Sequence, residues 1–166
     1  MSAPSAERIA IAIDAAFANV SQTGVQSVAE LLMRDDWPYE TAGLDQVCPW
    51  QELPFEWLEK YDSLPNFANA TSLKYYAPAY MRWILLDSGS SRTVGAEKFV
   101  TRLYHCAKEF LGRKETGASF VRDLSSEQRH AITQFLEWLA WTTSTEVLYS
   151  DGGRAYASWR TLESQC

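Results

Sequence analysis

Ile9, Ile13, Ala16, Phe17 and Val20 recur every three or four positions, which predicts a helix from Ser5 to about Val20 with Ser5 as its cap. Ser27-Val28-Ala29-Glu30 has the spacing of a capping box, in which serine and glutamate each bond the other's backbone amide. A short helix to about Arg34 should follow and stop before Pro38. Leu53, Trp57, Leu58 and Tyr61 predict another short helix with Pro54 in its first turn, where a missing amide costs little. Asp62 to Ala70 reads as a turn.

Leu73, Tyr76, Tyr80 and Ile84 share one helical face, flanked by Trp83 and Leu85. Pro78 interrupts them, so the expectation is a helical turn before Ala77 and a new helix from Pro78 to Asp87. Ser88-Gly89-Ser90-Ser91 reads as a loop. Phe99, Leu103, Cys106 and Phe110 mark a helix from Val94 to Leu111, with Gly112 where a left-handed stop is wanted. A polar loop around Gly117 should lead to a second capping box at Ser125-Ser126-Glu127-Gln128, then to Ile132, Phe135, Leu136 and Leu139 on one face. Gly152-Gly153 should break the path, leaving a terminal helix over Arg154 to Ser164 that docks through Ala155, Tyr156, Trp159 and Leu162.

Composition agrees with this pattern. Twenty alanines and sixteen leucines against eight valines and five isoleucines favour helix over sheet. The expectation is all-α: residues 1–166 as one compact bundle of about five to seven helices, with an irregular Pro/Trp-rich segment near residues 35–66. No apolar run is long enough for a membrane span, and no secretory leader is evident, so the expected location is the cytoplasm. Asn19-Val20-Ser21 and Asn69-Ala70-Thr71 then match the glycosylation pattern by chance. Cys48, Cys106 and Cys166 are an odd count without Cys-x-x-Cys spacing, which suggests reduced thiols rather than a disulfide framework or a zinc site.

Charge changes the picture more. The chain carries 15 basic and 21 acidic residues, a net charge of -6, which argues against a nucleic-acid groove. The imbalance is local: up to Ala70 there are three basic and eleven acidic residues, and beyond it twelve and ten. Glu30 to Asp62 alone holds nine carboxylates against Arg34 and Lys60, together with Trp37, Trp50 and Trp57.

Two segments, Tyr75-Tyr76-Ala77-Pro78-Ala79-Tyr80-Met81 and Leu124-Ser125-Ser126-Glu127-Gln128-Arg129 followed by Ile132, Phe135 and Leu136, carry a resemblance. Together they resemble a bacterial family of domains of unknown function, in which an aromatic pair precedes Pro-Ala-Tyr-Met and a Leu-Ser-Pro-Glu-Gln-Arg-like turn opens a late helix. Ser126 stands where such turns often have proline. The resemblance spans roughly residues 50–140 and implies a helical bacterial domain, with no catalytic residue to carry over.

Enzyme chemistry finds little support. No Gly-rich phosphate loop, Gly-x-Ser-x-Gly elbow or His-Glu-x-x-His occurs. His105 and Cys106 are adjacent, but neighbours on a helix point about 100° apart, so the cysteine faces the core and the imidazole turns away. Glu127 and His130 form one Glu-x-x-His unit, and His105 with Glu109 could complete a mixed metal site if the two helices faced each other. Trp138 and Trp141 are expected to pack under the terminal helix with Trp159.

The acidic, Trp-rich stretch is therefore the candidate site, and the expected function is non-enzymatic protein binding without a cofactor. In its most concrete form the protein is an immunity protein that occludes a basic bacterial toxin, using Asp35, Asp36, Glu40, Asp45 and Glu52 as steering charges and Trp37 and Trp50 as anchors. Two alternatives are a small metal-binding protein or enzyme built on His105, His130, Glu109 and Glu127, and a regulatory module that self-associates.

Overall fold

The computed structural model describes residues 5–35, 40–87, 93–112, 115–142 and 146–165. Among them are nine α-helices and no strand: α1 Ala6–Phe17, α2 Val28–Leu32, α3 Phe55–Lys60, α4 Leu64–Phe67, α5 Ala70–Leu86, α6 Val94–Leu111, α7 Glu115–Arg122, α8 Ser126–Thr142 and α9 Glu146–Gln165. A single 3-10 turn, Trp50–Glu52, precedes α3. The chain is one all-α domain. No helix among the described residues is long and apolar enough to cross a membrane. The loop expected at 88–91 lies outside the described residues.

Local signals set most helix starts. Ser5 accepts from the Arg8 amide at the start of α1, and Ser27 and Glu30 close a reciprocal capping box on α2. Ser125 and Gln128 do the same for α8, at 3.2 and 3.1 Å. Asn69 caps α5 through the Ser72 amide at 2.8 Å.

Four expectations are corrected by packing. First, α5 runs unbroken through Pro78 instead of dividing there. An interior proline removes one helical hydrogen bond and costs about 3 kcal/mol, but twelve residues of this 17-residue helix are buried, Pro78 among them. Their burial holds the helix together across the local defect. Second, α4 replaces the expected turn, with Pro65 in its first turn and Leu64 buried. Third, α7 replaces the expected polar loop, because Ala118, Phe120 and Val121 bury one side and Phe120 meets Trp159 edge-on at 6.3 Å. Fourth, α9 continues through Gly152-Gly153, with Gly152 buried against Leu139 of α8. Gly112 does follow α6, but with φ -78 rather than a left-handed conformation, its amide bonding back to the Lys108 carbonyl at 2.9 Å.

Helix α1 packs between α5 and α8, while α6 lies against α7 and α9, and α9 against α8. Asp14 on α1 meets Arg82 on α5 at 3.4 Å, and Asp62 meets Lys98 of α6 at 2.8 Å. At the centre, Tyr80 stacks on Phe99 with centroids 4.9 Å apart, and Phe99 in turn contacts Phe135. The Tyr80 hydroxyl is buried without a hydrogen-bond partner among the described residues, and burial holds its pKa well above the ordinary value. An unpaired buried hydroxyl opposes folding. Tyr80→Phe should therefore raise stability by about 1 kcal/mol, lifting the melting temperature by about 2–4 °C. A lower melting temperature for Tyr80→Phe would mean that the hydroxyl is paired in solution.

Candidate functional site

The acidic stretch between α2 and α3 has little regular structure, yet its backbone is held at several points. Gly43 turns the chain with φ +81, a left-handed conformation that favours glycine. The next residue, Leu44, is buried, and its carbonyl accepts from the Ala29 amide at 3.0 Å, which ties the stretch to α2. Further on, the Tyr75 hydroxyl of α5 donates to the Cys48 carbonyl at 2.8 Å and accepts from the Trp50 amide at 3.1 Å and from Gln22 Nε2 at 2.8 Å. One buried phenol thus fastens both sides of Pro49 to the core. Beside it, the Tyr76 hydroxyl donates to the Gln26 carbonyl at 2.7 Å, and the Gln26 amide donates to Ser72 Oγ at 2.8 Å.

Glu40, Asp45 and Glu52 project from this pinned backbone and are exposed, and Asp35 at the end of α2 is half-buried. Glu56 and Glu59 add exposed carboxylates on α3. The two cations of the stretch are turned to other partners: Arg34 Nη1 reaches the Phe67 carbonyl at 3.4 Å, and the Lys60 ammonium lies 5.1 Å from the centre of the Tyr61 ring. The arrangement presents negative charge at fixed places and so attracts cationic groups.

Trp50 is a correction. It is 3% exposed, so its indole belongs to the core and has no area left for a partner in this conformation. What it contributes is anchorage of the segment that carries Asp45 and Glu52. Trp57 is half-buried, edge-on to Tyr61 at 6.4 Å. Asp36 and Trp37 lie outside the described residues. Sequence reasoning missed Tyr75, whose signal was a phenol on a buried helix face, a group that usually finds a hydrogen-bond partner.

The other candidates are dispersed. Cys106 is fully buried, and desolvation pushes its thiol up to about 11, whereas His105 is exposed beside Tyr104, so no thiol–imidazole pair forms. His105 and Glu109 line a cavity of about 550 Å³ with Lys108, Leu111 and Gly112. Glu127 and His130 line a different one, of about 500 Å³, between α1 and α8. The mixed metal site needs these pairs to converge, and among the described residues no three His, Cys, Asp or Glu side chains come together to hold a metal. Instead His130 Nδ1 lies 3.0 Å from Glu163 Oε1 of α9. The amides and hydroxyls at the start of α8 stabilise the Glu127 carboxylate and lower its pKa. Trp159 of α9 is buried and Trp138 is half-buried, but Trp141, expected to pack under the terminal helix with them, is 75% exposed at the end of α8.

A family model described as "Family of unknown function (DUF6714)" matches residues 5–160. No curated protein and no solved structure matches the chain.

Proposed function

Because the chain belongs to DUF6714, a family of unknown function, no activity comes with the fold, and we propose from the residues alone that this is an acidic, non-enzymatic protein-binding domain. In its most concrete form it is a cytoplasmic bacterial immunity protein that covers the basic surface of a toxin. The observation that carries this reading is the pinned acidic segment: Glu40, Asp45 and Glu52 are exposed on a backbone fixed to the core through Leu44, Trp50 and Tyr75. Carboxylates on a preorganised backbone lose little conformational freedom on binding. They steer a basic partner during diffusion and so act chiefly on the association rate. The partner's cleft would be closed by steric cover and charge pairing, with Asp35 at the edge of the contact, and no bond would be made or broken.

The test is affinity capture from the source cells with the wild-type chain and with a Glu40→Lys/Asp45→Lys/Glu52→Lys variant, at low and high salt. The wild type should retain a basic protein in near-equal amount and release it as salt screens the contact. The variant should retain it about tenfold less or weaker still, with the loss mainly in association rate. Equal retention by the variant would overturn this choice of surface, and an empty wild-type column at low salt would overturn the reading itself.

A further inference from the structure

We propose that the outer face of α1, with the groove between α1 and α8, is a two-fold interface for a second copy of this chain. The proposal uses none of the residues of the acidic segment. It starts from Ile11, which is 68% exposed near the middle of α1. On a helix turning about 100° per residue, Arg8 and Ala15 lie within about 60° of Ile11 on the same side, and Ala12 follows at about 100°. Glu7 and Asp14 also lie within about 60° of Ile11, but on its other flank, away from Ala12, and there Asp14 meets Arg82. Arg8 and Ile11 therefore stand on the side of α1 next to the groove, which is lined by Ala12, Ala15, Ala16 and Ala131 together with Glu127, His130 and Gln134.

A projecting side chain and a recess of small residues thus sit side by side on one surface, and so do opposite charges at its two ends. Gln128 Nε2 donates to the Ala16 carbonyl at 3.1 Å, so the start of α8, with Glu127, adjoins the C-terminal end of α1. That end has no basic residue in its last turn to balance the negative pole of the helix. Arg8 lies at the other end, about 12 Å away at 1.5 Å per residue. A two-fold axis crossing α1 near Ile13 runs the two α1 helices antiparallel. Each Ile11 then enters the other copy's groove over Ala15, and each Arg8 meets the C-terminal pole of α1 and Glu127 of the other copy. A knob beside its own hole, and a cation opposite its own anion, are what an isologous contact requires of a single surface. An unrelated partner has no such reason to find both on one face, so a second copy is the occupant the charges favour.

The experiment is sedimentation velocity with light scattering on the full chain over a concentration series, at low and high salt. The expected result is a reversible dimer of twice the chain mass, weakened by salt. Ile11→Arg should weaken it at least about tenfold without lowering the melting temperature measured below the dimer's Kd, since the side chain is exposed in the single chain. Arg8→Glu should weaken it, and Arg8→Glu combined with Glu127→Arg should restore it in part, as coupled charges do in a double-mutant cycle. A wild-type chain that stays monomeric at the highest concentration reachable, about 0.5 mM, overturns the proposal, because no Kd below that value exists. A dimer indifferent to Ile11→Arg overturns it as well, by placing the contact on another face. So does a double variant as weak as the weaker single one, which denies the antiparallel register.

Discussion

Replacing Tyr75 by phenylalanine is expected to destabilise the fold by about 2–4 kcal/mol, although only one oxygen atom is removed. That oxygen serves the Cys48 carbonyl, the Trp50 amide and the Gln22 side-chain amide. The Trp50 bond is fully buried, so the stranded amide finds no replacement in water, and each such orphan costs about 1–3 kcal/mol. Tyr75 is itself 1% exposed, and phenylalanine fills the same space, so packing contributes little to the loss. The change should be concentrated between Glu40 and Glu52. Amide exchange at Trp50 should accelerate beyond what the global loss of stability accounts for. If the acidic segment binds a partner, Tyr75→Phe should also weaken that binding while leaving every carboxylate in place, because the loosened segment must then be ordered on association. A variant that melts with the wild type would show that the phenol is not the fastening point.

The second large effect reverses the usual sign of a helix substitution. Glycine to alanine inside a helix normally stabilises by up to about 1 kcal/mol. At Gly95, near the start of α6, the added Cβ would stand 2.8 Å from the backbone carbonyl oxygen of Leu58 and 3.5 Å from the Trp83 ring. The carbonyl oxygen belongs to the main chain of α3, and Leu58 is fully buried, so it cannot swing aside as a flexible side chain would. The two helices must separate, and overpacking of this kind costs about 1–3 kcal/mol. Gly95→Ala should therefore lower the melting temperature by about 2–12 °C in a chain of this size, at about 2–4 °C per kcal/mol. An unchanged or raised melting temperature would show that α3 and α6 are not in close contact.

What could be read from the sequence divides along the range of the interactions. Ser5, Ser27 with Glu30, and Ser125 with Gln128 act within three or four residues, and all three caps are present as their spacing predicts. The faces of α6 and α8 were legible for the same reason, since periodicity within one helix decides which side is buried. Pro78 and Gly152-Gly153 were misread because their local preferences oppose helix, and only packing against other parts of the chain outweighs them. Helix α7 was missed because it is only eight residues long and holds few apolar positions, so its pattern repeats over barely two turns, and its burial depends on Trp159 far along the chain. The acidic stretch was legible as charge. Its support was not, since Tyr75 lies 25 positions from Trp50 and no spacing rule links them. Taking Trp50 for an exposed anchor followed from the same gap: composition shows that a tryptophan is present, and only tertiary structure shows which way it faces.

The docking of α9 has a further consequence for how this chain is made. Trp159 is fully buried, and its indole donates to the Leu103 carbonyl in the middle of α6 at 3.0 Å. Helix α9 lies along α6 and α8 together, while α7 closes on the Trp159 ring. During vectorial synthesis the apolar faces of three successive helices thus leave the ribosome before the one that covers them. The contact between α1 and α5 can form early, because both segments are already synthesised, while the other side of α1 waits for α8. The half built on α6, α7 and α8 must wait with its apolar surface open, and in that interval a nascent chain is most exposed to aggregation and to capture by chaperones.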